Sequence, residues 1–150
     1  MTAKGVKPIC NFQHKFENTY LFGAYSPVNG DSLTLQLPNC DTDNFQVFLD
    51  ELSQKSLKEY KIVILDNGSF HKARRLIVPE NIFLIFLPPY SPELNPAEKI
   101  WAKIKRQLKF KHFKTLDDLI DLVCENVKND LSINEIISIT KFGIYCNLFG

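Results

Sequence analysis

Two acidic residues in this chain could form a metal-dependent site. Asp66 follows the run KIVIL, and Glu98 stands two residues after the last of four prolines in LPPYSPELNPAEKIW, residues 87–101. Carboxylates brought to the same end of a sheet repel each other unless a cation lies between them. Carboxylate oxygens are hard ligands that suit Mg²⁺ or Mn²⁺. The pair therefore predicts a divalent-metal site.

Each acid also has a simpler explanation. A lone Asp at the end of a strand can accept hydrogen bonds from nearby backbone N–H groups. An acid in the first turn of a helix, such as Glu98, interacts with the positive end of the helix dipole and contributes about 0.3–1 kcal/mol. Taken singly, the residues leave these alternatives open.

The segments around the two acids have the pattern of buried parallel strands. Residues 62–65 and 82–87 are unbroken apolar runs, typical of strands covered on both faces. Residues 69–81 have the length of a short crossover helix. Pro88 and Pro89 cannot extend a strand ladder, whereas Asn95 and Pro96 suit the cap and first turn of a helix. Both acids are thus expected at the carboxyl edge of the sheet, where open α/β sheets bind ligands.

The rest of the chain predicts a hairpin and three more helices. Residues 19–37 indicate a β-hairpin, because Leu33, Leu35 and Leu37 alternate with polar residues after the turn residues Asn29–Gly30. Apolar residues at helical spacing predict a helix over 42–58, capped by Asp41 or Thr42. Thr115 can cap a further helix, and a short one is expected within 132–140.

A basic segment follows Glu98. Residues 99–114 contain seven Lys and Arg and no acid, which leaves a net charge of −6 on the rest of the chain. At 100° per residue, Lys105 and Lys109 fall within about 20° of Glu98, and a separate arc that includes Trp101 is apolar. A charge run is often only a solvated face. It can also mark contact with nucleic-acid phosphates, and Trp101, in the apolar arc, is more readily a core anchor than a platform for base stacking.

Composition excludes several classes of protein. The chain has 150 residues, 45% hydrophobic and 23% charged, which fits one globular domain and not a disordered chain. Its longest apolar run is too short and too rich in proline to cross a bilayer, so no membrane partner is expected. The four cysteines are scattered and form no C-x-x-C pair, which argues against a zinc site or a disulfide framework.

The stretches LDNGSFHK, residues 65–72, and FLPPYSPELNPAEKIWAKIK, residues 86–105, resemble two motifs of DDE transposases. They look like the second-Asp and final-Glu motifs of the branch that joins bacterial insertion-sequence enzymes to mariner-like elements. The resemblance implies an RNase H-like α/β fold, a mixed sheet with flanking helices, and Mg²⁺ or Mn²⁺ as cofactor. It also implies cutting and joining of double-stranded DNA at element ends and target.

The resemblance assigns roles to individual residues. Asp66 and Glu98 become catalytic metal ligands, and Glu93 is the weaker candidate because it precedes the Asn–Pro pair. Asn67 and His71 are possible helpers near phosphate, although His71 could equally be a packed or capping histidine. The expected DNA-binding residues are Lys72, Lys99, Lys103, Lys105, Arg106 and Lys109. The expected setting is the bacterial cytoplasm, at the nucleoid, and the complete protein is expected to be a homo-oligomer.

The sequence departs from the family pattern at its start. In the family, a first Asp lies on the first, central strand, before the hairpin, and MTAKGVKP resembles the connection after that strand. We therefore expect a single domain over 1–150, truncated at its N-terminus, with the first central strand missing. The sheet would then consist of two fragments with facing, unpaired edges, unless residues near Val6 to Phe12 fill the gap. Asp31, Asp41 and Asp43 are poor substitutes because they belong to a turn and a helix cap.

Two functional interpretations follow from this departure. The chain could be the catalytic half of a split transposase, inactive until it is joined to an upstream half. It could instead be a non-catalytic remnant that binds DNA or other transposase chains. A phosphate-accepting receiver domain is a distant third, since it would account for Asp66 but not for the proline-rich motif.

Overall fold

The computed structural model describes residues 2–14, 17–68, 73–129 and 131–141. A five-stranded mixed sheet carries helices on both faces. No helix in this described part is long and apolar enough to cross a membrane. The strands are β1 (Thr2–His14), β2 (Glu17–Tyr25), β3 (Ser32–Leu37), β4 (Lys61–Leu65) and β5 (Ile82–Phe86); the helices are α1 (Thr42–Gln54), α2 (Ala97–Leu108), α3 (Leu116–Asn129) and α4 (Ile133–Thr140).

The strand order is β3-β2-β1-β4-β5, so β1 occupies the centre of the sheet. It pairs antiparallel with β2 and parallel with β4, with Val6 opposite Leu65. The prediction of a missing central strand and two sheet fragments is therefore wrong, and the alternative that residues near Val6 to Phe12 fill the position is confirmed. The physical reason is that the backbone groups of β2 and β4 can pair with any extended segment. β1 contains no Asp or Glu.

Alternate residues of β2 face two hydrophobic layers. Phe22 packs with α1, whereas Leu21 and Tyr25 pack with α2, α3 and α4. Gly23 permits the closest approach, because a Cβ there would lie 2.7 Å from Cζ2 of Trp101. The Tyr25 ring meets Trp101 edge-on, with ring centroids 5.8 Å apart. Trp101 is 1% exposed, so the prediction that it anchors the core is confirmed.

The predicted hairpin and helix caps are confirmed. The turn between β2 and β3 contains Gly30 at φ +71°, a conformation that favours glycine. The Asp41 carboxylate accepts from the Asn44 backbone N–H at the start of α1. Helices α3 and α4 each begin with reciprocal side-chain to backbone bonds, between Thr115 and Asp118 in α3 and between Ser132 and Glu135 in α4.

Two predicted helices are corrected. The helix expected over 42–58 ends at Gln54, because the side chains of Lys61 and Asn81, from later in the chain, donate to the Ser56 carbonyl just beyond it. The crossover helix expected over 69–81 is absent from the described residues 73–81. There the Gln46 side chain accepts from Ile77 N–H at 2.7 Å and donates to Ile77 O at 2.8 Å, which withdraws both groups from helical bonding.

Candidate active site

Parallel strands β4 and β5 end side by side at one edge of the sheet. The backbone N–H of Leu87 donates to the carbonyl of Leu65 at 2.8 Å, one position beyond the end of β5. Asp66 therefore leaves the sheet beside the proline-rich turn. The central strand reaches the same edge, since Val6 pairs with Leu65, the last residue of β4. This is the edge at which the sequence placed the site.

A cleft of about 480 Å³ opens at this edge, within the range of about 300–1,000 Å³ that is usual for ligand sites. Oδ1 of Asp66 is buried, while the residue as a whole is partly exposed. Asn67 is exposed beside it. The residues lining the cleft are Asp66, Asn67, Gly68, Leu87, Pro88, Pro89, Tyr90 and Ser91. The lining thus combines the two segments that carried the sequence motifs.

The rim of the cleft is strained at Tyr90. Its φ is +59°, although it is not a glycine, and its side chain is 100% exposed. A residue with a Cβ in this left-handed conformation is destabilised by about 1–2 kcal/mol. Pro88 and Pro89, which end the strand ladder as predicted, fix the approach to this residue. The surrounding structure therefore holds an aromatic ring outward at the mouth of the cleft.

The same turn positions the start of α2. Leu94 packs against Ile64 and Leu87, directly beneath the end of β4. Buried Asn95 accepts a hydrogen bond on Oδ1 from the Ala97 N–H at 3.1 Å, and its carbonyl accepts from the Glu98 N–H at 3.1 Å. The helix begins one residue later than expected, with Pro96 and not Asn95 as its cap residue, and the Asn95 side chain binds the backbone just before the first turn. This arrangement places half-buried Glu98 in the first turn of a helix that is tied to the strand carrying Asp66.

Only some of the predicted site residues line the cleft. Asp66 and Asn67 line the cleft, whereas Glu98 lies on the adjoining helix and is not among the described residues that line it. His71 and Lys72 lie outside the described residues. Among the residues that are described, no three His, Cys, Asp or Glu side chains converge as a metal cluster. Metal binding by Asp66 and Glu98 thus stays a prediction, and their oxygen donors suit a hard divalent cation.

The basic residues of α2 divide into two groups. Lys103 forms an ion pair with Glu135, with Nζ 2.6 Å from Oε1, and this bond is the main reason that the pKa of Glu135 is lowered. Lys103 thereby ties α2 to α4. The other predicted DNA-binding residues of this helix are exposed, namely Lys99, Lys105, Arg106 and Lys109.

Comparison with known proteins identifies the family. The family model described as DDE superfamily endonuclease matches residues 1–120. The chain belongs to this DDE superfamily. It is also 41% identical over 108 residues to an uncharacterized protein, y4pE/y4sA, of Sinorhizobium fredii (strain NBRC 101917 / NGR234), covering 70% of this chain and 79% of that protein. The predicted resemblance to DDE enzymes is confirmed.

Solved structures show the same fold for this DDE domain. One is a chain in the cryo-EM structure of the simian T-cell lymphotropic virus intasome in complex with PP2A regulatory subunit B56 gamma, with TM-score 0.62 and 11% identity. That match covers 85% of this chain and 48% of the viral chain, so this chain spans about half of it. The other is the HTLV-2 integrase catalytic core domain in complex with magnesium (dimeric form), with TM-score 0.56, 10% identity and coverage of 85% and 86%. The predicted RNase H-like fold is confirmed.

Sequence reasoning missed two residues at this edge of the sheet. Burial raises the pKa of the Cys40 thiol to about 11, and the negative charges of Asp41 and Asp66 add to the effect. Cys40 is thus an electrostatic neighbour of Asp66, a relation that only the fold creates, because β3 and β4 end at the same edge. Tyr90 is the second. The Pro-Pro pair before it indicated a stiff turn, but nothing in the sequence indicates a positive φ at a tyrosine.

Proposed function

We propose that this chain is the catalytic part of a DDE transposase, in which Asp66 and Glu98 hold Mg²⁺ or Mn²⁺ and the enzyme cuts and rejoins DNA. One observation carries the proposal. The cleft at the carboxyl edge of an RNase H-like sheet is lined by Asp66 and bounded by the turn that leads into the helix of Glu98. Membership of the DDE superfamily supports it.

The donor atoms of the site fit a hard cation, and the HTLV-2 integrase core was solved with magnesium. A pair of such ions, when bound, activates the attacking hydroxyl and stabilises the leaving oxygen of a phosphodiester. The residues of this chain would prepare that chemistry. Asp66 and Glu98 supply anionic oxygens, and exposed Asn67 can donate a hydrogen bond to a phosphate oxygen. Pro88 and Pro89 line the cleft with surface that has no N–H donor.

DNA would be held along α2. Its exposed cations begin one residue after Glu98 and continue to the end of the helix, so a backbone whose phosphate lies at the cleft can follow them. Lys72, after the second-Asp motif, would add a contact. Lys103 would act differently from the others, because its bond to Glu135 fixes α2 on α4. Such a protein would act at the bacterial nucleoid and assemble as an oligomer, as the dimeric integrase core does.

We infer further that the acid set is incomplete in this chain. The central strand contains no Asp or Glu, although it pairs with β4 up to Leu65, the residue before Asp66. The third carboxylate would come from an upstream strand of a split transposase that takes the place of β1. The same observation favours the second candidate function, a non-catalytic module that binds DNA or transposase chains.

A plasmid-nicking experiment tests the proposed function. The 150-residue chain and a version fused to an upstream strand that carries an Asp are incubated with supercoiled DNA and Mg²⁺ or Mn²⁺. The fused protein should nick the DNA, and Asp66→Asn or Glu98→Gln should abolish nicking. Glu93→Gln, an exposed acid of the same turn, is the matched control and should remain active. Nicking that persists in both Asp66→Asn and Glu98→Gln would refute the proposal.

A further inference from the structure

The turn that follows α2 exposes an aromatic ring among cations. Residues 109–114, KFKHFK, contain no acid. Phe113 is half-buried and packs against the core cluster formed with α2 and α3. Phe110 is 85% exposed, and Nζ of Lys109 lies 5.5 Å from the centre of its ring. One phenylalanine therefore anchors the turn while the other stands in solvent. The other exposed residues of the turn are Lys111, His112 and Lys114.

The chemistry around Phe110 suits DNA better than an apolar protein surface. Docking the ring on a protein core would remove water from several neighbouring ammonium groups, which is costly without acidic partners. Against duplex DNA the ammonium groups meet phosphates while the ring meets the stacked bases. Phenylalanine is among the side chains that proteins insert between base steps to kink a duplex.

The distance between Phe110 and the cleft determines which base pairs of a bound duplex the ring would contact. It lies twelve residues after Glu98, and Lys109 retains helical dihedral angles beyond the end of α2. At 1.5 Å per residue the two positions are about 18 Å apart along the helix axis. That distance corresponds to about five base pairs of B-form DNA at 3.4 Å each.

We propose that Phe110 is an apolar wedge that inserts between base pairs of duplex DNA about five base pairs from the phosphodiester held at the cleft, and kinks the duplex there. This inference rests on the proposed function, since it needs DNA to follow α2. It assigns Phe110 a positioning role: the kink sets the path of the duplex between the turn and the cleft. The flanking lysines hold the phosphates on either side of the kink.

DNA bending tests this proposal. A duplex labelled with a fluorescence donor and acceptor at its two ends is titrated with the full chain in EDTA. Wild type should shorten the end-to-end distance, as a kink of about 20–90° would. Phe110→Ala should abolish the bend and weaken binding by up to about tenfold. Phe110→Leu, which retains an apolar wedge, should restore the bend. Phe83→Ala, an exposed phenylalanine on the edge strand β5, is the matched control and should bend DNA as wild type does.

The salt dependence of binding separates a wedge from a charge contact. Phe110→Ala should leave the slope of log affinity against log salt unchanged, whereas Lys109→Ala should reduce its magnitude by about 0.9. Unchanged bending in Phe110→Ala would overturn the proposal, as would failure of Phe110→Leu to restore the bend. A change of oligomeric state in Phe110→Ala with normal bending would assign the residue to a protein interface instead. Because bending is measured in EDTA, it does not depend on a metal. Bending by wild type, together with nicking by the fused protein that persists in both Asp66→Asn and Glu98→Gln, would refute the proposed function and leave the wedge supported.

Discussion

The two ends of β4 place charged residues in opposite settings. At its start Lys61 is 0% exposed, and its Nζ donates to the carbonyls of Ser56 at 2.6 Å and Glu59 at 3.4 Å. At the other end Asp66 lines a cleft. The lysine is bound to the chain that follows α1. The aspartate has one carboxylate oxygen buried and a face toward solvent.

The neighbours of the two residues repeat this contrast. Beside Lys61, the Asn81 amide donates to the carbonyls of Ser53, Ser56 and Glu59 and accepts from the Ser53 hydroxyl at 2.6 Å. Beside Asp66, the turn contains a strained, fully exposed tyrosine. The polar groups near the start of β4 stabilise the fold, and those near its end surround the cleft. Substitutions near the start of β4 should change the stability of the fold, and those near its end should change ligand binding.

The largest effect on stability is expected at Lys61. Lys61→Ala removes a buried, charged hydrogen-bond donor and its packed stem, so the free energy of unfolding should fall by about 3 kcal/mol. Urea denaturation followed by circular dichroism measures this. Lys58→Ala, at an exposed lysine of the same turn, should change stability by about 0.5 kcal/mol or less. Equal stability of the two variants would break the comparison.

A smaller loss is expected at Asn81. Asn81→Ala leaves three carbonyls with fewer donors, which should lower the free energy of unfolding by about 2 kcal/mol. Amide hydrogen exchange should become faster at the end of α1. The control is Asn67→Ala at the cleft, an exposed asparagine whose loss should leave stability nearly unchanged. A larger loss of stability for Asn67→Ala than for Asn81→Ala would show that the polar groups near Asp66, and not those near Lys61, stabilise the fold.

A gain in stability is expected at the rim of the cleft. Tyr90→Gly removes the strain of a positive φ, but it also adds freedom to the unfolded chain, so the net gain should be up to about 1 kcal/mol. Tyr90→Ala retains a Cβ and should give no gain. Thermal unfolding of the two variants distinguishes them. A lower melting temperature for Tyr90→Gly than for Tyr90→Ala would show that the turn is not strained.

The smallest expected effect concerns the Cys40 thiol. Its pKa is raised to about 11 by burial, then by Asp41 and Asp66, so removing the Asp66 charge should lower that pKa and increase the thiolate fraction at a fixed pH below it. Alkylation of Cys40, followed by peptide mass spectrometry, should therefore be faster in Asp66→Asn. Mn²⁺ should accelerate it in wild type and not in Asp66→Asn, with Cys124 as an internal reference. Acceleration by Mn²⁺ in both proteins would place the metal elsewhere.

The position of the cleft could be predicted from the sequence, because the residues that determine it act locally. The prolines after β5 and the acid after β4 act on neighbouring residues, and the Asn95 side chain accepts from the Ala97 N–H two residues later. The network around Lys61 was not predicted, because it joins Asn81 to Ser53, 28 residues earlier, and depends on tertiary packing. The early end of α1 has the same origin.

The largest error in the prediction from sequence concerned the central strand. The first eight residues, MTAKGVKP, were expected to be a connection because of a family resemblance, but residues 2–14 form a strand that pairs with β2 and β4. Pairing of backbone groups is largely independent of side-chain identity, so a motif comparison could not predict it.

A titration with Mn²⁺, followed by electron paramagnetic resonance, tests the central claim that Asp66 and Glu98 form one divalent-metal site. Wild type should bind weakly, because two carboxylates leave much of the coordination to water. Glu93→Gln should bind equally well, whereas Asp66→Asn and Glu98→Gln should each lose at least about tenfold in affinity. Equal Mn²⁺ affinity in wild type, Asp66→Asn and Glu98→Gln would contradict the account.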